Sequence, residues 1–325
     1  MSFIFWEVFM DSKIIFFEGQ PGTGKSTISQ YICEQLQLNG ESVRWVDEYE
    51  HNAIQFSRFW EKYDNCDEDI IDVLVSCWEE LISTIEESEH IFIIESAFFS
   101  YTLYLMNLEF SKEKINNYFK KLNIILSKLN PQIILLKGDT ETIIRRACER
   151  RGNQWTNMTI DMIEKGPYQY SRKRVGFKGM VEYFSDAQKL YFELMPLINF
   201  PILQIDVTED NWIATENVIL SWLGDYTIQN HYHNENMNLK IYVGKYQVPN
   251  EFPAKGENLE IFFEDNLLVL KGTYWEDYKL SPRSETKFLI KGIPMKVNFK
   301  LKEGKIKGFD YTFIDRNTYF CSKIE

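Results

Sequence analysis

Residues 13–27 read KIIFFEGQPGTGKST, an apolar run of strand-forming residues, a glycine-rich turn, then Lys-Ser-Thr at the head of a helical pattern. Gly19, Gly24, Lys25 and Ser26 fill the fixed positions of G-x-x-x-x-G-K-[ST], the P-loop whose backbone amides wrap nucleotide phosphates. Such a loop works only where a buried strand delivers it and a helix N-terminus receives it, so it restricts the fold more than any other stretch. Gly19, Gly22 and Gly24 permit backbone angles that a side chain forbids. With Gln20, Pro21, Thr23 and Thr27 they make one continuous nucleotide-binding segment. Lys25 is expected to reach the β- and γ-phosphates of ATP, and the Ser26 hydroxyl to hold Mg2+.

A chain of 325 residues with 44 % hydrophobic and 15 % aromatic residues has material for two cores, so two domains are expected. The net charge of −12 argues against a protein that works by neutralising nucleic-acid phosphates. Residues 1–229 hold 21 basic and 35 acidic residues and residues 230–325 hold 15 and 13, so the negative excess lies wholly in the first part. The five cysteines (Cys33, Cys66, Cys77, Cys148, Cys321) are scattered and form no C-x-x-C pair, which suits reduced thiols in a cytoplasmic protein. No apolar run approaches the roughly 18 residues of a membrane span. The opening MSFIFWEVFM lacks the basic flank and cleavage site of a signal peptide. Either Met10 is the natural start, or Phe3, Ile4, Trp6 and Phe9 pack on the rest of the protein.

Strand and helix patterns alternate through the first part. A helix is expected over 25–38, a strand over 43–47, helices over 53–62 and 67–88, and a strand over 91–95. Ser96-Ala97 opens another helix, followed by a helix over 111–129 and a strand over 133–136. Asp139 or Thr140 caps a helix bearing Arg145, Arg146, Arg150 and Arg151 that ends at Gly152. A polar, basic stretch runs to Gly179, then a helix to about 195, a strand over 202–206 and a closing helix over 210–223. The expectation is an α/β P-loop fold with a parallel five-stranded sheet and flanking helices over 13–224, ligands gathering at the carboxyl ends of the strands. Residues 1–12 form an extension and 225–238 a polar linker. Beyond it, 239–325 show hairpin signatures at 259–270, turning at Glu264-Asp265-Asn266, and at 297–309, turning at Lys302–Lys305. A small antiparallel all-β domain follows from them.

Neither the N-K-x-D nor the D-x-x-G pattern of a GTPase stands in place. A kinase needs a base near the acceptor, an acid that organises Mg2+ and arginines that neutralise the transferring group. Asp47 and Glu48 end the second strand and Glu95 ends the third. The arginine helix supplies Arg146 and Arg150, which share a face at i,i+4, while Arg145 has Glu149 at the same spacing.

In these respects the chain resembles the P-loop nucleoside and nucleotide kinases, a superfamily that includes thymidylate kinase, deoxynucleoside kinases and zeta-type toxins. The likeness spans about 13–223, and only GQPGTGKS is a sharp motif. It implies an ATP- and Mg2+-dependent transfer to a small-molecule acceptor, with Asp47 or Glu48 meeting the acceptor. The third strand in that superfamily often ends in acid-Arg; here Glu95 is followed by Ser96-Ala97, which leaves Glu95 as a Mg2+-water ligand or second base. DTETIIRRACERRG resembles the arginine-rich lid, and Arg172, Lys173, Arg174 and Lys178 make a basic loop that either closes over the acceptor or is plain solvated charge. Asp206-Val207-Thr208 occupies the place of the loop that contacts the base of ATP. Phe56, Phe59, Trp60, Phe98, Phe99, Tyr101 and Tyr104 are either core or a stack for a flat acceptor. The competing reading is a non-catalytic ATP-binding protein that signals through its β domain.

The final part, with IYVGKYQVP, LEIFFEDNLLVLKG and VNFKLKEGKIKGF, resembles the small β domain appended to some β-lactamase-like and peptidase-like proteins. That likeness implies an accessory for a protein partner, for self-association or for covering a site. Neither nucleic acid nor membrane is expected as a partner.

Overall fold

The computed structural model describes residues 12–65, 67, 69–229, 237–253, 258–271 and 277–324. The expected packing of Phe3, Ile4, Trp6 and Phe9, the Cys66 thiol and linker residues 230–236 fall outside the described residues. Two compact units divide the chain: one runs through Ile228 apart from Arg150–Gln154, and the other takes Arg150–Gln154 with Gln229–Glu325.

In the first unit β1 (Ile14–Gly19), β2 (Val43–Val46), β3 (Ile91–Glu95), β4 (Gln132–Lys137) and β5 (Ile202–Asp206) form an all-parallel sheet in the order β2-β3-β1-β4-β5. The P-loop strand is thus central, between β3 and β4, and all six of its residues are buried. Alternation splits it between two cores. Ile14 and Phe16 pack into the layer containing Trp78, Tyr101 and Phe119, while Ile15 and Phe17 pack with Ile28, Ile32 and Leu220. Two covered faces explain why β1 reads as a continuous apolar run.

The helices are α1 (Lys25–Leu38), α2 (Glu48–Ala53), α3 (Ser57–Asn65), α4 (Ile70–Glu86), α5 (Ser100–Asn107) and α6 (Lys112–Leu126), then α7 (Thr140–Lys165), α8 (Pro167–Arg172), α9 (Gly176–Leu194) and α10 (Trp212–Gly224). Two sequence expectations are corrected and one is extended. The segment after β2 turns helical at once, because Asp47 caps α2 by accepting the Tyr49 and Glu50 amides, and the chain breaks only after Ala53. Gly152, at φ 77° and ψ 180°, breaks the helix where expected, and a second helical segment runs on from there to Lys165. The stretch leading to Gly179 is not a loop but carries α8, started by Pro167 in its first turn, and the beginning of α9.

The first unit also extends past α10. The Tyr226 hydroxyl donates to Glu41 at 2.8 Å, and the Asn39 side chain donates to the Thr227 carbonyl at 2.9 Å. A chain ending at Gln229 is therefore expected to fold and to bind Mg2+–ATP with unchanged affinity, because it keeps both cores and these ties. Aggregation of that shortened chain, or an affinity loss beyond about tenfold by calorimetry, would show that the units depend on each other.

In the second unit β6 (Gly244–Gln247), β7 (Asn258–Glu264), β8 (Leu267–Leu270), β9 (Tyr278–Pro282), β10 (Lys287–Ile290), β11 (Lys296–Lys302), β12 (Lys305–Thr312) and β13 (Thr318–Lys323) pair in sequence order, and β13 returns to β6 to close an antiparallel barrel. Both expected hairpins are present. Asp265-Asn266 and Glu303-Gly304 sit at positive φ, the conformation that the tight turns need. The interior is filled by its own rings: Tyr242 on Phe299 at 4.5 Å, Tyr246 on Phe309 at 4.7 Å and Phe252 on Phe313 at 5.0 Å. An eight-stranded barrel has room for side chains and little else, and here aromatic side chains take it.

Candidate functional site

The P-loop leaves β1 at Gly19 and enters α1 at Lys25. Thr23 fastens its curve, with both its amide and its hydroxyl donating to the Gln20 carbonyl, at 3.2 and 2.8 Å. Gly22 has φ 92°, and a Cβ there would collide with the Ile143 carbonyl and lie 3.0 Å from Ala147 of α7. Gly24 caps α1 in the left-handed region, φ 78°, where a Cβ would come within 2.8 Å of the Trp212 ring. No side chain caps α1, so its first-turn N–H groups stay open to an anion at the positive end of a 14-residue helix. This cradle fits a triphosphate.

Ser26 is the second residue of α1 and acts to lower the Glu95 carboxyl. Glu95 is 3 % exposed, and its second neighbour on α1, the Ser29 hydroxyl, stands 3.4 Å from Oε2 while accepting the Trp45 indole N–H at 2.9 Å. Burial pushes the Glu95 carboxyl up to about 8; Lys25 and Ser26 pull it down, and Glu48 and Asp47 push it further up. The structure thus brings Lys25, Ser26, Glu95, Asp47 and Glu48 into one electrostatic group. Asp47 is buried and engaged as the α2 cap. Glu48 is half-buried, with no hydrogen-bond or ion-pair partner among the described residues. Among those residues no three His, Cys, Asp or Glu side chains are grouped to hold a metal.

The arginines divide. Arg146 directs its donors at protein: Nε and Nη2 to the Gly22 carbonyl at 3.1 and 2.9 Å, Nη2 to Val207 O at 3.0 Å, Nη1 to Thr208 O at 3.4 Å and to Asp210. Its guanidinium also lies over Trp212, 5.2 Å from the ring centroid. Arg146 thus clamps the P-loop to the segment between β5 and α10. Arg145 pairs with Glu141 at 2.6 Å rather than with Glu149, and covers the Phe177 ring. Arg150 is exposed one turn further along α7, just before the Gly152 kink. In the 206–208 segment, the Asp206 carboxylate accepts the Thr208 amide and Thr208 Oγ1 accepts the Asp139 amide, both at 2.9 Å, so this loop is tied to Arg146 and the start of α7.

Of the seven aromatic candidates, Phe56, Phe59, Phe98, Phe99 and Tyr101 are fully buried core, and only Trp60 and Tyr104 are half-buried.

Two residues that the sequence left unmarked hold the turn after β3. Glu18, wholly buried, accepts the Ala97 and Phe98 amides on Oε1 at 2.9 and 2.6 Å, while Oε2 has no partner. Burial pushes its carboxyl to about 7 against those amides and Lys25. His51 reaches the Glu95 carbonyl through Nε2 at 2.9 Å, and burial holds its ring below the usual imidazole range. Between these fastenings Ser96 adopts φ 57°, a left-handed turn that costs a side-chain-bearing residue energy and persists only because its neighbours impose it. The signal for Glu18 was an acid inside an otherwise apolar buried strand. Glu18→Ala is expected to release two buried N–H groups and cost about 2–4 kcal/mol in urea unfolding, at about 1–3 for each unpaired group less local relaxation. Glu18→Gln, whose carbonyl oxygen can still accept both, is expected to recover most of it; equal loss in the two variants would refute the amide-holding role.

A central P-loop strand, glycines at positive φ in the turn and an uncapped α1 define a P-loop nucleotide-binding domain. The family described as AAA domain matches residues 15–158, which contain that loop and four of the five parallel strands. No curated protein matches the chain.

Proposed function

We propose that the chain is an ATP-dependent phosphotransferase that moves a γ-phosphoryl group to a hydroxyl or phosphate of a small molecule. The observation that carries this reading is Glu95, a buried carboxylate that closes β3 beside the P-loop helix, 3.4 Å from the Ser29 hydroxyl, next to a strand β2 whose end runs into Asp47 and Glu48. The amides of Gly19 to Thr27 and Lys25 bind and orient phosphates, and Ser26 with Glu95 holds the Mg2+ that offsets their charge. Glu48, unpaired and reachable, accepts the acceptor proton in preference to Asp47, whose Oδ1 is committed to the α2 cap. Trp212 and the Arg146 clamp shape the opposite side of the loop.

The free thiols of Cys33, Cys77, Cys148 and Cys321 support a cytoplasmic protein, and no described helix is long and apolar enough to cross a membrane. The barrel serves partner binding or self-association. The full engagement of Arg146 favours a second reading, a nucleotide-binding protein without transfer. ADP release measured with and without pooled nucleosides, nucleotides, amino sugars and aminoglycosides separates the two. Acceptor-dependent turnover supports the kinase, and tight Mg2+–ATP binding with no stimulation by any pool supports the alternative.

A further inference from the structure

Resting on the phosphotransferase reading, we propose that His51 is a positioning residue: its imidazole locks the turn that carries Asp47 and Glu48 to the strand end that carries Glu95. It thereby sets the gap between the acid on the acceptor side and the acid on the metal side.

The ring's own bonds define the lock. His51 is wholly buried, and buried ring nitrogens need partners. Its Nε2 lies 2.9 Å from the Glu95 carbonyl oxygen, which can only accept, so Nε2 carries the hydrogen. On the other side of the ring the Tyr101 hydroxyl stands 3.1 Å from Nδ1 and 2.7 Å from Asn52 Oδ1. Phe56 and Tyr101 stack on each other at 4.2 Å between centroids, and both meet the imidazole in edge geometry, at 5.7 and 6.0 Å. With both nitrogens faced and its flank packed, the ring has one orientation.

What it joins follows from where the strands part. The pairing of β2 with β3 runs to Val46 opposite Ile94. Past that pair the chain after β2 enters α2, only six residues long, and the chain after β3 turns at Ser96. The Ser96 amide donates to Phe17 O at 3.0 Å and Glu18 takes the next two amides, so the P-loop strand holds one side of this turn. The Glu95 carbonyl faces the other side, where His51 meets it. Within α2 the His51 amide donates to Asp47 O at 3.2 Å, which puts Asp47 and Glu48 one helical turn before the imidazole. A helix this short has little stability of its own and keeps its place through tertiary ties. Fixing the Glu95 carbonyl also fixes the direction of its side chain, because both start from one Cα. The P-loop is built from β1 and α1, so the lock bears on transfer and on the metal side more than on nucleotide binding.

The test compares two amides of different reach in the full chain. His51→Gln keeps an N–H donor near the place of Nε2 and is expected to hold most of the wild-type kcat. His51→Asn is too short to meet the Glu95 carbonyl and is expected to lose ~10²-fold in kcat, the cost of a small misplacement, with KM for ATP at saturating Mg2+ little changed. A second readout needs no turnover. The Mg2+ dependence of binding of a non-hydrolysable ATP analogue, followed by calorimetry, is expected to show Mg2+ held about tenfold more weakly in His51→Asn and unchanged in His51→Gln. A third is read on the wild-type chain, so no variant has to fold: nitrogen-15 resonances of the imidazoles should show His51 with its hydrogen on Nε2. A hydrogen on Nδ1 alone, or equal losses of kcat and Mg2+ affinity in the two variants, would overturn the lock. If the wild type transfers to none of the acceptor pools, the phosphotransferase reading falls, and the Mg2+ affinities and the tautomer still decide whether His51 positions Glu95.

Discussion

Lys25→Ala is expected to lower acceptor-dependent ATP turnover by about 10²-fold or more while the protein stays folded. The size follows from removing a preorganised cation aimed at developing phosphoryl charge. The fold should survive because the half-buried Lys25 ammonium forms no hydrogen bond or ion pair among the described residues and contributes nothing to either core. The loss has a second component in this protein. Lys25 is the cation that pulls the Glu95 carboxyl down from the level set by burial, and it acts in the same sense on Glu18. Without it both acids bind protons more tightly, so the variant should also need a higher pH for whatever turnover remains. Far-ultraviolet circular dichroism and a melting curve check the fold, and ADP release checks the rate. Wild-type turnover in Lys25→Ala would sink the kinase reading outright.

What the sequence made legible follows from where its physical rules are local. A P-loop is a contiguous motif, and acids closing β2 and β3 are found by the rule that ligands gather at the carboxyl ends of parallel strands; Asp47, Glu48 and Glu95 were reachable that way. Glu18 was not. In a strand covered on both faces there is no alternation to betray a functional side chain, and its partners, the Ala97 and Phe98 amides, lie about 80 residues away. The same non-locality hid the charge balance of α8–α9. Read in order, Arg172, Lys173, Arg174 and Lys178 are a basic loop; in three dimensions Glu109, Glu182 and Asp186 neutralise three of the four, and the Gln169 side chain, buried and bonded to Gly179 O at 2.7 Å, draws the stretch into helices. Barrel closure was equally out of reach. The hairpins are local, but the pairing of Ser322 with Gln247 that joins the last strand to the first is not.

Glu95→Gln should be the second severe loss, about 10²–10⁴-fold in turnover if the carboxylate organises Mg2+ or takes a proton, and it should be accompanied by a gain in stability at alkaline pH. The sign follows from the raised carboxyl. The folded protein holds the Glu95 proton up to about 8, far above the ordinary 4.5, so between those values the native state binds more protons than the unfolded chain. Stability from this group is therefore fully present below about 4.5 and is lost as pH rises through about 8. Glu18, raised to about 7, acts in the same direction over a slightly lower window. A neutral glutamine at 95 removes its share of that decline. The wild-type melting temperature, without nucleotide, should fall between pH 6 and pH 9, and that of Glu95→Gln should fall less. Mg2+ with a non-hydrolysable ATP analogue should flatten the wild-type slope as well, because a bound cation stabilises the ionised carboxylate. A variant that loses turnover yet keeps the wild-type pH slope would mean that Glu95 acts only through its position in the turn, and the proton-holding role would pass to Glu18.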